Sequence, residues 1–260
     1  MFAQILEAME ANCASHASHL HSVIEGARVL DSGDVVIADS GLSDDTFNLV
    51  CRARFTDDTA RERVADVISE TTATKRPFSW WVAPTSTPAN LGAILLDDGL
   101  SESESEEAMV ADLENLPLPR LPEDLAIVTV ESAEQLSDYA SLMSRNWTPP
   151  SPAVVAFYEM AAAAVLDSDC ASRFVVGYVG EKPVAGAEIH FNSEVAGLYG
   201  VVTLEAHRRK RFGTAVTLAA LDLARAAGVP RAVLQASSDG ARVYKKIGFT
   251  TIGTYTEYAM

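Results

Sequence analysis

The sequence predicts an α/β fold with a mixed sheet, in two successive halves. Its 260 residues suit one large domain or two of roughly 100–150 residues, and 48% of them are hydrophobic, enough for a packed core. Strand and helix patterns alternate on both sides of the proline-rich segment Leu113–Asp124, whose prolines cannot lie inside a helix or a central strand. We therefore predict domains at residues 1–113 and 126–260, joined by a linker at residues 114–125.

In the first half, apolar residues at helical spacing predict a helix within residues 1–25. Alternating polarity in Thr46–Arg54 predicts a strand. The acidic, serine-rich run Ser101–Glu107 indicates a solvated loop or strand edge. The other predicted elements are a strand at Val35–Ala38, a helix at Thr59–Thr72, a strand at Phe78–Val82 and a helix at Ala89–Asp97.

The second half has the predicted order β-α-α-β-β-β-α-β-α-β. Its most distinct element is a long amphipathic helix that ends at Gly228-Val229-Pro230. The predicted ranges are Leu125–Val130, Ala133–Ser144, Pro152–Leu166, Arg173–Val179, Val184–Phe191, Ala196–Thr203, Arg211–Ala227, Ala232–Ala236, Asp239–Ile247, and one or two strands in Phe249–Tyr258.

The charge is unevenly distributed. The chain carries −16, and residues 1–125 hold 8 basic and 23 acidic side chains, whereas residues 126–260 hold 12 and 13. Such an acidic protein should repel nucleic acid and anionic membranes. No apolar run is long enough to span a bilayer, and the N-terminus does not resemble a signal peptide. Three widely spaced cysteines indicate a reduced, cytoplasmic protein and no metal site.

The run Arg208–Arg211 concentrates cations where a predicted strand gives way to a helix. The unpaired N–H groups and positive dipole of a helix start suit a pyrophosphate, and Gly213 would let the backbone approach that anion closely. A basic, solvated helix start is the alternative. A Walker-type phosphate loop is excluded because no G-K-[ST] follows.

Three motifs together resemble the GNAT superfamily of N-acetyltransferases, over about half of the chain. Val202–Gly213 resembles the family's acyl-CoA loop, R/Q-x-x-G-x-G/A, although Arg211 replaces its first glycine. Val233–Ser237 (V-L-Q-A-S) is similar to the fifth strand. Val243–Phe249 (V-Y-K-K-I-G-F) is similar to the Y-x-x-x-G-F signature.

This resemblance implies the GNAT fold and acetyl-CoA as co-substrate. The backbone of residues 201–203 would bind the pantetheine arm, and the basic run would bind the phosphates. If the position of Arg211 requires a positive φ, the arginine adds about 1 kcal/mol of strain. The implied cofactor-binding residues are Val201, Val202, Thr203, Arg208, Arg209, Lys210, Arg211, Phe212, Gly213, Thr214 and Ser237.

The resemblance also implies catalytic candidates. Tyr244 matches the tyrosine that protonates the leaving thiolate, with packing beneath the cofactor as the alternative. For the general base, Glu188 is the first candidate, and His190 lies two residues away on the same strand face. A structural role is the alternative for both.

The first half resembles the N-terminal region of tandem GNAT-like proteins around Pro77–Pro84. It has no counterpart of the acyl-CoA loop or of Y-x-x-x-G-F, so we predict a degenerate GNAT-like half that binds no CoA. Trp80 and Trp81 should point to opposite faces of a strand, one into the core and the other towards a pocket.

The predicted function is direct acetyl transfer from acetyl-CoA to a primary amine of a small molecule or protein, by a monomer or homodimer. The alternative is a non-catalytic CoA-binding or structural GNAT-like protein. Nucleic-acid binding is disfavoured, because one short basic run neutralises few phosphates.

Overall fold

The computed structural model describes residues 2–119, 122–192 and 194–260. The helices are α1 (Phe2–Ser18), α2 (Ala60–Ala73), α3 (Leu91–Asp97), α4 (Ala133–Ser144), α5 (Pro152–Val165), α6 (Phe212–Ala226) and α7 (Ser238–Ile247). The strands are β1 (Arg28–Asp31), β2 (Val36–Asp39), β3 (Asn48–Cys51), β4 (Ser79–Val82), β5 (Ser101–Asp112), β6 (Ala126–Thr129), β7 (Ser172–Val179), β8 (Lys182–Asn192), β9 (Val195–Thr203), β10 (Arg231–Ala236) and β11 (Thr250–Ala259). The predicted element order of the second half is confirmed.

The contacts divide the chain into two compact units. Unit 1 contains Met1–Ala108, Gln235–Ala241 and Thr251–Met260, and unit 2 contains Met109–Leu234 and Arg242–Thr250. The predicted domain boundaries, which follow chain order, stay a prediction. Within the described residues, no helix has the length and apolar character needed to cross a membrane.

Unit 1 is a mixed sheet in the order β1-β2-β3-β4-β11. The β3–β4 pair is parallel and the other three pairs are antiparallel. Helix α2 joins the two parallel strands, as a parallel connection requires. Strand β11 is distant in sequence, yet it pairs with β4 from Thr256↔Val82 to Ala259↔Ser79.

The two adjacent tryptophans of β4 separate the faces of this sheet. Trp80 is fully buried in the main core of unit 1, together with Val64, Leu91 and Tyr258. Trp81 is half-buried and packs with the small cluster that includes Cys51. The predicted opposite orientation of the two indoles is confirmed.

Unit 2 is a mixed sheet in the order β10-β9-β8-β7-β6. Strands β6 to β9 form an antiparallel meander, and β9 pairs with β10 in parallel. Helix α6 makes the crossover between these two parallel strands.

Helices cover both faces of the unit 2 sheet. A Cβ at Gly177 would meet Val216 of α6, whereas a Cβ at Gly186 would meet Tyr139 of α4. Gly177 pairs with Ala185, the neighbour of Gly186. Since successive residues of a strand point to opposite faces, α6 and α4 lie on opposite sides of the sheet.

The structure adds one strand to the prediction, shortens another and decides between two alternatives for a third segment. Strand β1 was missed because all four of its residues are exposed and show no burial alternation. The strand predicted from Thr46 begins only at Asn48, because Asp44 caps a preceding 3-10 turn. The acidic run, for which a solvated loop or a strand edge was predicted, forms the exposed first part of the twelve-residue strand β5.

The predicted linker begins with ordered structure. Leu113–Asn115 is a 3-10 turn, and Leu113 and Leu116 are buried. Arg225 of α6 donates hydrogen bonds to both of their carbonyl oxygens. These contacts attach the first residues of the segment to unit 2. The predicted linker also includes Arg120 and Leu121, which lie outside the described residues.

Candidate active site

The parallel ladder between β9 and β10 is short. It contains three residue pairs, from Arg231↔Val195 to Val233↔Gly197, whereas β9 continues to Thr203. Residues 198–203 of β9 therefore extend beyond the ladder. This segment includes Val201, Val202 and Thr203, whose backbone is predicted to bind the pantetheine arm.

A β-bulge lies in the extended part of β9. Gly186 pairs with Val202 and Glu188 pairs with Tyr199, so Gly200 and Val201 together oppose Ala187. Gly200 has a φ of +55°, and its carbonyl accepts a hydrogen bond from Tyr139 Oη at 3.3 Å. Bulges disrupt a ladder locally and are common beside active sites.

The loop after β9 has an unusual backbone for its sequence. Arg209 and Arg211 have φ values of +64° and +68°, in the left-handed region that favours glycine. Arg211, which replaces the first glycine of the motif that this loop resembles, thus has a backbone conformation that favours glycine. For arginine this conformation adds a strain of about 1 kcal/mol. Arg208 Nε donates to the Thr203 carbonyl oxygen at 3.2 Å and ties the loop to β9.

The start of α6 is close to the end of β9 and lacks a side-chain cap. A Cβ at Gly213 would lie 3.1 Å from Thr203 Oγ1, so glycine permits this approach. Ser132 and Ser151 cap α4 and α5 with their hydroxyl groups, whereas Arg211 at the N-cap of α6 makes no such bond. The first N–H groups of α6 are therefore available to an acceptor from outside the helix.

The four cations of the loop add positive charge at this helix start. Arg208, Arg209, Lys210 and Arg211 are all exposed, and in the described part of the chain none of them forms an ion pair. The first turn of α6 contains no acidic residue. Open N–H groups, the helix dipole and unpaired cations together form a site suited to a polyphosphate.

A comparison with protein families identifies this region. Residues 134–249 match the model described as the acetyltransferase (GNAT) family. This part of the chain is a GNAT-family domain. The match includes the short β9–β10 ladder, the bulge, the basic loop and Tyr244.

Solved structures with the same fold extend over nearly the whole chain. A GCN5-related N-acetyltransferase from Kribbella flavida is 18% identical, with a TM-score of 0.72, and the match covers 96% of this chain and 95% of that one. A tandem GNAT protein from the clavulanic acid biosynthesis pathway is 13% identical, with a TM-score of 0.63 and coverages of 100% and 94%. No curated protein sequence matches the chain.

Tyr244 lies on α7 of the GNAT domain, as predicted. It is half-buried, and its ring packs edge-on against Phe249 with 5.9 Å between centroids. Its carbonyl oxygen accepts from the backbone N–H groups of Gly248 and Phe249. The tyrosine is thus held by the backbone turn of its own motif, Y-x-x-x-G-F.

Glu188 is part of a buried hydrogen-bond network. Ser172 Oγ lies 2.7 Å from Glu188 Oε1 and 2.9 Å from His190 Nδ1, and all three side chains are at most 2% exposed. The Tyr158 hydroxyl also hydrogen-bonds to Glu188 and to Tyr139, and burial raises the pKa of both tyrosines well above its usual range. Tyr139 in turn reaches the Gly200 carbonyl, so the network extends to the bulge.

The network has one proton on each hydroxyl. If Ser172 donates to Glu188, then His190 Nδ1 must donate to Ser172. Sequence reasoning placed Glu188 and His190 on one strand face, and both point to the face covered by α4. It missed Ser172, Tyr139 and Tyr158, because no local motif marks a partner on a neighbouring element.

The predicted binding residues divide between the two units. Residues 201–203 and 208–214 all lie in unit 2 and contact one another through Thr203. Ser237 belongs to unit 1, and its Oγ accepts from the Gly240 N–H at 3.4 Å at the start of α7. This contact gives Ser237 a helix-capping role in the structure.

Proposed function

We propose that the chain is an acetyl-CoA-dependent N-acetyltransferase that transfers the acetyl group directly to a primary amine. The observation that carries this proposal is the uncapped start of α6, beside four exposed cations that form no ion pair with any described residue. The pyrophosphate of CoA would accept from the open N–H groups, and the pantetheine arm would lie along residues 201–203.

In this mechanism the amine nitrogen attacks the thioester carbonyl and the C–S bond breaks. The amine loses a proton to Glu188, reached through the buried hydroxyl groups, and Tyr244 donates a proton to the departing thiolate. Holding both substrates in contact would supply much of the rate enhancement. Tyr244 and Glu188 are the proposed catalytic residues.

The competing proposal is a CoA-binding protein without turnover. The burial of Glu188, which is 2% exposed, favours it, because a base without direct access to the amine needs a relay. The whole-chain match to a tandem GNAT protein supports the proposal that the first half is a second GNAT-like domain. We propose that this half is degenerate and binds no CoA.

Titration of the full chain with CoA tests the binding site. We expect binding, with protection of residues 208–214 from hydrogen exchange. Arg208→Gln should weaken it about tenfold, since a hydrogen bond to a charged group contributes about 1.5–3 kcal/mol. Arg61→Gln is the control, because Arg61 is an exposed arginine of unit 1 that pairs with Asp97. Equal affinities in the two variants would contradict the site.

A free-thiol assay separates enzyme from binder. Acetyl-CoA and a panel of primary amines should release CoA at a rate that depends on the amine. Binding of CoA without amine-dependent thiol release would support the non-catalytic alternative.

A further inference from the structure

One aromatic side chain connects helix α4 to the bulge of β9. Tyr139 is fully buried, and its ring meets the rings of Tyr158 and Phe174 edge to face, with 5.4 and 5.0 Å between centroids. Close packing on these sides holds the ring in one place. Its hydroxyl donates a hydrogen bond to the Gly200 carbonyl oxygen at 3.3 Å.

Two glycines of neighbouring strands make room for this phenol. A Cβ at Gly186 of β8 would lie 2.9 Å from Tyr139 Cδ2, and a Cβ at Gly200 of β9 would lie 2.1 Å from Tyr139 Oη. A closely packed interior does not tolerate such approaches, so any other residue at either position would displace the phenol. The ring thus lies against β8 and its hydroxyl reaches β9, where the register between the two strands shifts.

The bulge takes the Gly200 peptide out of the β8–β9 ladder. Gly186 pairs with Val202 and Glu188 pairs with Tyr199, whereas Gly200 has no partner in this register. The extra residue of a bulge is left outside the ladder, and a backbone carbonyl there needs a donor from elsewhere. The Tyr139 hydroxyl is that donor, so it holds the Gly200 peptide in its bulged conformation.

After the bulge, alternate residues of β9 face the open edge of the strand. The Leu204 N–H donates to the Val184 carbonyl oxygen at 2.9 Å, so Leu204 and Val202 direct their backbone groups towards β8. Alternate residues of an antiparallel strand direct these groups to opposite edges. The N–H and C=O groups of Val201 and Thr203 therefore point away from β8, on the side where the ladder with β10 has already ended.

The bulge produces this orientation. Glu188 is four residues after Val184 on β8, so both face β9, and Tyr199, which pairs with Glu188, faces β8. If β9 were regular, Val201 and Thr203 would face β8 as Tyr199 does. The extra residue of the bulge shifts the alternation by one and turns these two residues to the open edge, where the pantetheine arm is proposed to bind.

We propose that Tyr139 is a positioning residue for the co-substrate. Its hydroxyl holds the Gly200 peptide in the bulge, and the bulge directs the backbone groups of Val201 and Thr203 to the pantetheine arm. Tyr139 acts through β9 and does not contribute to the phosphate site at residues 208–214. This role rests on the proposed function, because it concerns the binding of the same co-substrate.

Calorimetric titration of the full chain with two ligands isolates the pantetheine arm. CoA carries the arm and the phosphates, whereas adenosine 3′,5′-bisphosphate is its nucleotide part without the arm. Tyr139→Phe keeps the ring and removes one hydrogen bond, so it should weaken CoA about threefold to tenfold and the bisphosphate less than about twofold. Arg208→Gln should weaken both ligands, because its expected effect is on the phosphates.

Tyr178→Phe is the matched control. The Tyr178 hydroxyl also joins the sheet to α4, since it donates to Asp138 Oδ2 at 2.7 Å, but its partner is not in β9. This variant should leave the ratio of the two affinities unchanged, and a selective loss of CoA affinity here would overturn the specific role of Tyr139.

Gly186→Ala is a second variant that acts on the same ring. Its new Cβ would displace the phenol without removing the hydroxyl or changing the sequence of β9. We expect the same selective loss of CoA affinity as in Tyr139→Phe. Thermal unfolding of each variant checks that it is folded.

The outcomes for the positioning role and for the proposed function are separable. Equal losses for both ligands in Tyr139→Phe, or unchanged CoA affinity, overturn the role and leave CoA binding in place. Failure of the wild type to bind CoA overturns both. The selective loss without thiol release from acetyl-CoA supports the positioning role and contradicts acetyl transfer.

Discussion

Replacing Gly200 with alanine should destabilise the protein for two separable reasons. The first is backbone strain, because φ is +55° and an L-residue there costs about 1–2 kcal/mol. The second is a clash, because the new Cβ would lie 2.1 Å from Tyr139 Oη. Tyr139 is fully buried against Tyr158 and Phe174, so it cannot move away, and overpacking of this kind costs about 1–3 kcal/mol.

Urea unfolding of four variants separates these two contributions. Gly180 has a φ of +59° and nothing within 4 Å of its added Cβ, so Gly180→Ala measures strain alone, about 1–2 kcal/mol. Gly200→Ala should cost about 2–5 kcal/mol. Removing the hydroxyl with Tyr139→Phe should remove the clash, because the ring carbon Cζ would be 3.4 Å from that Cβ.

The double variant Gly200→Ala/Tyr139→Phe completes a double-mutant cycle. The two changes should couple favourably by about 1–3 kcal/mol. If Gly200→Ala costs no more than Gly180→Ala, or if the cycle shows no coupling, the close contact between the bulge and Tyr139 is wrong.

Three further predictions concern the proposed active site and Glu106 of β5. Tyr244→Phe should lower kcat about 10²–10⁴-fold with unchanged acetyl-CoA affinity, as for a lost general acid; unchanged single-turnover kinetics would make the residue structural. Arg211→Gly should relieve the left-handed backbone strain and stabilise the protein by about 0–1 kcal/mol, yet weaken CoA binding in calorimetry. Arg211→Lys is the control, because it keeps both the charge and the strain. A clear loss of stability in Arg211→Gly would count against the strain. Glu106→Gln should stabilise the protein at pH 8 by at most about 3 kcal/mol. Burial raises the folded pKa of Glu106 from the usual 4.5 to about 7, so the wild type loses stability as pH rises through this window. Equal urea midpoints of the two proteins at pH 5 and pH 8 would refute the effect.

The sequence was most informative where local chemistry fixes the structure. The bounds predicted for α4 match the structure, because Ser132 caps the Gln135 N–H while the Gln135 side chain accepts from the Glu131 N–H. The basic loop after β9, which we propose to bind CoA, was also recognisable from the sequence, since its residues are contiguous. Its backbone was not, because no propensity predicts two arginines with positive φ.

Long-range pairing set the limit of prediction. The spacing of Glu188 and His190 showed that they share a strand face, but not that Ser172 on β7 binds both. The importance of Gly200 was equally hidden, since it depends on a tyrosine of α4 that contacts it only in the fold. The acidic run of β5 appeared to be a solvated segment, because its pairing partners are distant in sequence.

The position of β11 has a consequence for biosynthesis. Its pairing with β4 means that the sheet of unit 1 lacks one strand until β11, which is far from β4 in sequence, has been synthesised. During translation, β4 would present the unpaired edge that elsewhere promotes strand-to-strand aggregation. Folding of unit 1 should therefore be slow, as expected when a strand pair closes a very long loop.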